Sequence, residues 1–213
     1  MIKQYRQYFP CQDCNGRGYW DQSVHGSPEF QGCGSCQTSG VSPEGRKQLR
    51  WDHRFLDLAA LISSWSKDPS TKCGAVIVRD DRSVASLGYN GFPRGVDDRP
   101  ERLNDRPEKL GLTVHAEMNA ILHLRERADG MTLYTWPFLT CDRCAVHVVQ
   151  AGIRRVVCPV ATAQQLERWG EAFERTRRVY QESRVRLMEL PLDTVAGLAR
   201  DGCRPSPPRG GVP

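Results

Sequence analysis

Apolar residues recur along the middle of the chain with two different periods. In "WDHRFLDLAALISSW", Trp51, Phe55, Leu58, Ile62 and Trp65 fall at helical spacing and make one stripe, as expected of a helix laid on a core. "GAVIVRDDRSVASLGYN" then offers two β-branched stretches on either side of Asp80-Asp81-Arg82, which predicts a hairpin. Further on, helical and strand patterns alternate: a helix over about 115–127, a strand at "MTLYT", a helix over about 141–151, a strand at "RRVVC", a helix over about 163–182 and a strand at "RVRLMEL". Gly152 stands where a left-handed cap would end the second of these three helices. Helices alternating with strands predict an α/β sheet covered on both faces, and the hairpin makes that sheet mixed.

The flanks differ in texture. Residues 1–45 are rich in Cys, Gly, Gln and Ser with almost no aliphatic side chains, so they cannot form a core of their own. Residues 90–112 carry five basic and five acidic residues and read as a long loop, a candidate binding element. The tail "CRPSPPRGGVP" has the composition of disorder. The expected organisation is a cysteine-rich module over 1–48, a catalytic domain over 49–190, and a C-terminal helix with a disordered tail over 191–213.

Composition narrows the class. Hydrophobic residues at 39% and charged residues at 26% suit a globular protein. A net charge of +5 is too mild to announce a nucleic-acid binder, yet it suits an anionic ligand. No apolar run reaches the roughly 18 residues of a membrane helix, and "MIKQYRQYFP" lacks the apolar centre of a signal peptide, so a cytoplasmic protein is expected. Six of the nine cysteines fall in C-x-x-C pairs, which in a reducing compartment are more often metal ligands than disulfides. Cys73 and Cys158 sit in apolar surroundings and read as small core residues, and Cys203 as an idle tail thiol.

The chemistry gathers in "TVHAEMNAIL" and "CDRC". His115 and Glu117 form H-x-E at a helix start, and after a gap of 23 residues Cys141 and Cys144 form C-x-x-C. Alone, the first pair is an ordinary cap with a first-turn acid, and the second is equally redox-active or structural. Together, across a helix-strand-helix unit, they put one imidazole and two thiolates at adjacent helix N-termini. Three protein ligands leave zinc an open position, the arrangement of catalytic sites. Glu117 then stands close to the metal without ligating it, placed for general acid/base work on a metal-activated nucleophile.

These residues, with "SKDPSTKCGAVIV", "GYNGFPRGVDD" and "CDRCAVHVVQAGI", resemble the deoxycytidylate (dCMP) deaminase family of the zinc-dependent cytidine deaminase-like superfamily over roughly residues 50–190. The resemblance implies a mixed five-stranded sheet flanked by helices, hydrolysis of dCMP or a 5-substituted dCMP to dUMP or its analogue and ammonia, homo-oligomers, and dCTP and dTTP as effectors. It makes His115, Cys141 and Cys144 the ligands of the catalytic zinc and Glu117 the proton shuttle. Asn90, Ala116 and Trp136 become candidate substrate contacts, Trp136 as an aromatic wall beside the base. Gly88, Asn90, Gly91, Arg94 and Gly95 match the glycine-rich loop that binds a triphosphate effector. One position departs: Thr140 stands where the family has proline before the first cysteine, which puts the pocket wall in question, although threonine can still cap the cysteine helix.

Near the N-terminus, "CQDCNGRG" and "CGSCQTSG" place Cys11, Cys14, Cys33 and Cys36 as two pairs separated by 18 residues, the spacing of a closed, structural zinc site. The first pair resembles the cysteine-rich repeat of DnaJ-type chaperones. Such a module packs on the catalytic domain, binds another protein, or touches nucleic acid with Arg17, Tyr19 and Trp20; His25 is a competing ligand in mid-loop. Two other readings stay open for the whole chain: a cytosine or adenine deaminase acting on RNA or DNA, and a non-catalytic zinc-binding adaptor. The mild charge argues against the former, and a retained Glu117 beside a three-ligand site against the latter.

Overall fold

The computed structural model describes residues 7, 9–15, 19–21, 30–32, 35 and 40–191, with 19–21 and 30–32 as backbone. Two compact units divide the chain, Met1–His53 and Arg54–Pro213.

In the first unit, β1 (Tyr19–Asp21) and β2 (Phe30–Gly32) pair antiparallel. Cys11 donates its N–H to Gly40 O at 3.0 Å and Ser42 donates to Phe9 O at 2.9 Å, which ties the first cysteine pair to the segment entering the long helix α1 (Pro43–Ser63). Cys11 and Cys14 are buried. Cys33, Cys36, Arg17, His25, Cys203 and the expected C-terminal helix and tail beyond Pro191 lie outside the described residues. Helix α1 begins about two turns before Trp51, because the Ser42 hydroxyl accepts the Gly45 N–H at 3.1 Å, Pro43 stands first and Glu44 occupies the first turn. The expected boundary after residue 48 falls inside this helix.

The second unit holds a five-stranded sheet in the order β4-β3-β5-β6-β7, built from β3 (Gly74–Val78), β4 (Val84–Tyr89), β5 (Thr132–Trp136), β6 (Arg155–Pro159) and β7 (Arg186–Leu190). β3 pairs antiparallel with both β4 and β5, whereas β5, β6 and β7 run parallel. The hairpin turns where expected: Arg82 takes a φ of 70° and Asp81 accepts the Ser83 N–H at 2.8 Å. Along β3 the pleat sends Ala75 and Ile77 into a core shared with Ala116, Ala120, Ala145 and Val148, while Gly74 meets Ala59 and Ser63 of α1 on the other face. On the first face lie α4 (Ala116–His123), α5 (Asp142–Gln150) and α6 (Ala163–Glu182), α5 packed between the other two. Both faces are therefore covered. Gly152 closes α5 at a φ of 95°, as its position suggests.

Three expectations need correcting. Residues 90–112 are not one loop: they contain α2 (Pro100–Asn104) and α3 (Arg106–Leu112), each opened by a proline, with the Asp105 carboxylate accepting the Glu108 N–H at 3.1 Å. The apolar stripe of α1 is shifted, with Phe55, Leu56, Ala59 and Ile62 buried and Trp65, past the helix end, exposed and edge-on to Tyr89. Helix α4 stops at His123, well before residue 127.

Candidate metal centre and substrate cavity

Two helix starts build the centre. His115 is the N-cap of α4 and Cys141 the N-cap of α5, so both lie where backbone N–H groups point outward from adjacent helices. Cys141 Sγ accepts the Cys144 N–H at 3.4 Å, which fixes the two cysteines in one turn. His115 Nδ1 lies 3.4 Å from each sulfur, and the three donor atoms fall within 4.8 Å of one another. Zinc with ordinary Zn–S and Zn–N bonds in a tetrahedron separates N from S by about 3.6 Å, so the trio fits that ion with little adjustment.

Protonation supports the same reading. Hydrogen bonding to Cys144 and to His115 pulls the Cys141 thiol down to about 4, against the effect of burial. The bond to Cys141 in turn pushes His115 up to about 9. Cys144 moves upward, through its bond to Cys141 and through burial. A divalent cation bound here would take the place of the protons these three donors share. Glu117, in the first turn of α4, is buried, and that burial together with the neighbouring Cys141 raises its pKa. A buried carboxyl with a raised pKa beside a candidate metal site is suited to accept and return protons.

Beside the centre opens a cavity of about 300 Å³. His115, Glu117, Cys141 and Cys73 line it, so Cys73 is a wall residue as well as a core one. Cys158, by contrast, is fully buried, as expected. Phe138, Trp169 and Phe173 form an aromatic side, with Phe138 4.7 Å from Trp169 and 5.7 Å from Phe173. Asn90 also lines the cavity, and its amide is already engaged: Oδ1 accepts the Cys73 N–H at 2.7 Å and Nδ2 donates to Thr71 O at 2.9 Å. Three cations complete the lining, Arg106, Lys109 and Arg168. Lys109 is buried and bound to Asp68 at 3.0 Å and Ser70 Oγ at 2.8 Å.

A family match agrees with this geometry. The model for the "Cytidine and deoxycytidylate deaminase zinc-binding region" matches residues 49–160, which contain the whole trio and Glu117. The chain belongs to this family. It is 40% identical to an uncharacterised deaminase of Aliivibrio fischeri encoded 3′ of luxG, over 68% of this chain and 96% of that one. It is 41% identical to a probable deoxycytidylate deaminase of Caenorhabditis elegans and 37% identical to the deoxycytidylate deaminase of mouse, each over 51% of this chain, and it covers 56% and 64% of those proteins. The apo dCMP deaminase of cyanophage S-TIM5 shares the fold, with a TM-score of 0.51 at 23% identity over 70% of this chain and all of that one. The trio, which could hold a metal ion, thus lies inside a zinc-binding deaminase domain.

Other expected contacts lie elsewhere. Trp136 does not line the cavity; it ends β5 opposite Gly74, and the aromatic side comes from Phe138 and α6. Ala116 packs into the core. Gly88 faces α4, where an added Cβ would lie 2.4 Å from Ala120 N, so its need for glycine is one of packing. Gly91 has open space, Gly95 takes a φ of 80°, and Arg94 contacts His123 at 3.1 Å outside the cavity. Thr140 does not cap α5, because Cys141 does. It is fully buried and shares a 2.7 Å hydrogen bond with the Tyr180 hydroxyl, so its departure from the family motif alters the core behind the centre and not the cavity wall. No helix among the described residues is long and apolar enough to cross a membrane.

Proposed function

We propose that the chain hydrolyses dCMP, or a 5-substituted dCMP, to the corresponding uracil nucleotide and ammonia. One observation carries the reading: the cavity brings the buried carboxyl of Glu117 beside a three-donor centre with an open side. His115, Cys141 and Cys144 hold the zinc. Once bound, the ion supplies Lewis-acid activation of a water molecule. Glu117 takes one proton from that water as its oxygen adds to C4 of the cytosine and delivers it to the ring nitrogen, then carries the remaining proton from the new C4 hydroxyl to the amine as the C4–N bond breaks and ammonia leaves. Phe138, Trp169 and Phe173 flank the base and keep bulk water from it. Asn90 holds the 68–73 segment against the cavity, which makes it a wall-forming residue beside the sugar or base.

Arg106 and Arg168 make no ion pair with a carboxylate among the described residues, whereas Lys109 is neutralised by Asp68. Two uncompensated guanidinium groups at a cavity suit a phosphate ester and favour a nucleotide over a nucleoside. The names of the mouse and worm relatives point the same way. Arg94, His123 and Arg125 around a separate depression of about 570 Å³ support keeping dCTP and dTTP effectors in the proposal, without Gly88. A second, structural zinc on Cys11, Cys14, Cys33 and Cys36, a homo-oligomeric assembly and a cytoplasmic location complete it.

The test is ammonia release from dCMP, 5-methyl-dCMP, deoxycytidine and a cytosine-containing oligonucleotide by zinc-loaded protein. Glu117→Gln is expected to lower turnover by at least about 10²–10⁴-fold with zinc content unchanged. Turnover of the oligonucleotide alone would overturn the nucleotide reading, and a wild-type protein inactive on every substrate would favour an adaptor.

A further inference from the structure

Cys141 is flanked by two residues that are both fastened to the same distant helix. Its predecessor Thr140, fully buried, is held twice: its hydroxyl shares a 2.7 Å hydrogen bond with Tyr180 OH, and its carbonyl accepts the Thr176 hydroxyl at 3.0 Å. Its successor Asp142 accepts Arg175 Nε at 2.6 Å. Tyr180, Thr176 and Arg175 all belong to α6. The same helix presents Trp169 and Phe173 to the cavity, and positions 169, 173, 176 and 180 fall on one helical face. Two hydroxyls on that otherwise apolar, buried stripe need partners, and their partners are the backbone and side chain of the residue before the cysteine.

We infer that α6 is a clamp for the metal centre, with Tyr180, Thr176 and Arg175 as positioning residues for Cys141. The inference rests on His115, Cys141 and Cys144 holding the ion. A thiolate at a helix N-cap is placed by the backbone on either side of it, and the bonds to α6 restrain that backbone on both sides. Groups that orient a metal ligand from behind typically change metal affinity by about 10–100-fold when removed. None of the three lines the cavity, so their effect reaches the centre through the residues on either side of Cys141. The clamp also joins the cavity wall to the centre through a single rigid element.

Zinc release from the loaded protein to a chromophoric chelator tests this, with Cys141→Ser measured in parallel so that ions held elsewhere in the chain are subtracted. Tyr180→Phe, Thr176→Val and Arg175→Ala are expected to release the Cys141-dependent zinc about 10-fold or more faster. Arg175 is half exposed, so its variant tests the clamp without disturbing the core. Arg175→Lys should restore part of the loss. In the cobalt-substituted protein the thiolate-to-metal absorption should shift for the same variants. Thr162→Ala, which removes the capping box at the other end of α6, is the control for helix stability alone and should leave zinc release unchanged. Wild-type release rates in Tyr180→Phe and Arg175→Ala would overturn the clamp, as would an equal acceleration by Thr162→Ala. Equal zinc content in wild type and Cys141→Ser would instead overturn the metal assignment beneath it.

Discussion

Gly88→Ala should damage catalysis through the packing of α4 on β4. The added methyl would lie 2.4 Å from Ala120 N, 2.5 Å from Ala116 O and 2.9 Å from Asn119 C, all backbone atoms of α4 that no side-chain rotation can move aside. Ordinary contact begins near 3.4 Å, so α4 must retreat by about 1 Å. That retreat strains the 2.7 Å bond from the Ser86 hydroxyl to Ala120 O and the 2.8 Å bond from Asn119 to Tyr89 O. Overpacking of this kind costs about 1–3 kcal/mol, a fall in Tm of about 2–4 °C per kcal/mol for a chain of this size. Helix α4 also begins with His115 and Glu117, while Cys141 and Cys144 stay on α5. A misplacement of about 1 Å at a reacting centre can lower turnover about 10²-fold. Thermal unfolding, zinc content and kcat with dCMP measure the three consequences. Gly91→Ala is the matched control in the same "GYNG" stretch, since a methyl there meets nothing within 4 Å, and it should leave all three unchanged. A Gly88→Ala protein with wild-type Tm and kcat would refute the close packing of α4 on β4.

Lys109→Met removes one partner of a buried pair whose side chains are 7% and 11% exposed. Asp68 keeps the Ser70 and Thr71 N–H groups, so urea unfolding should show a loss near the low end of the range for such pairs, about 3 kcal/mol. Burial works against the Asp68 carboxylate, but those two N–H groups and the Lys109 ammonium outweigh it and hold its pKa below the usual carboxylate range. Its contribution to stability is therefore present above the ordinary carboxylate pKa and lost as pH falls through the lower folded value. Asp68→Asn should flatten the acid limb of the stability profile, and an unchanged limb would show that the pair does not govern it. Trp169→Ala should raise KM for dCMP about 10-fold through loss of the aromatic side, whereas Trp136→Ala should leave KM unaltered. The reverse pattern would return the wall to Trp136.

The metal trio was legible because its members lie at two helix starts whose spacing is fixed by one intervening strand. Nothing comparable announced the cavity's aromatic side. Phe138 and Trp169 are 31 positions apart in sequence and meet only when α6 crosses beside α5, a tertiary event that no local pattern encodes. A weaker signal was present: Thr176 and Tyr180 continue the Trp169–Phe173 stripe, and hydroxyls on a buried stripe imply a partner. The charge-rich stretch 90–112 misled for a different reason. Its ten charged residues suggested one long loop, yet "DRPE" is a helix start, and Lys109 is buried because Asp68 waits for it across the fold. Trp136 illustrates the hazard of reading an aromatic residue by proximity to a motif, since a strand's pleat decides which way it faces. Gly88 shows the same for glycine, where the demand came from a helix passing over the strand.

All three proposed ligands fall between positions 115 and 144, within one helix-strand-helix segment. The entropy lost in closing a loop grows only with the logarithm of its length, but short closures need the fewest other contacts already in place. An ion captured by this segment can draw α4 and α5 together before β7 finds β6, so zinc would act on the order of assembly as well as on its end point. Refolding from urea with zinc present should be faster than refolding with a chelator, and Cys141→Ser should abolish the difference. Equal rates would place ion capture after the sheet has closed.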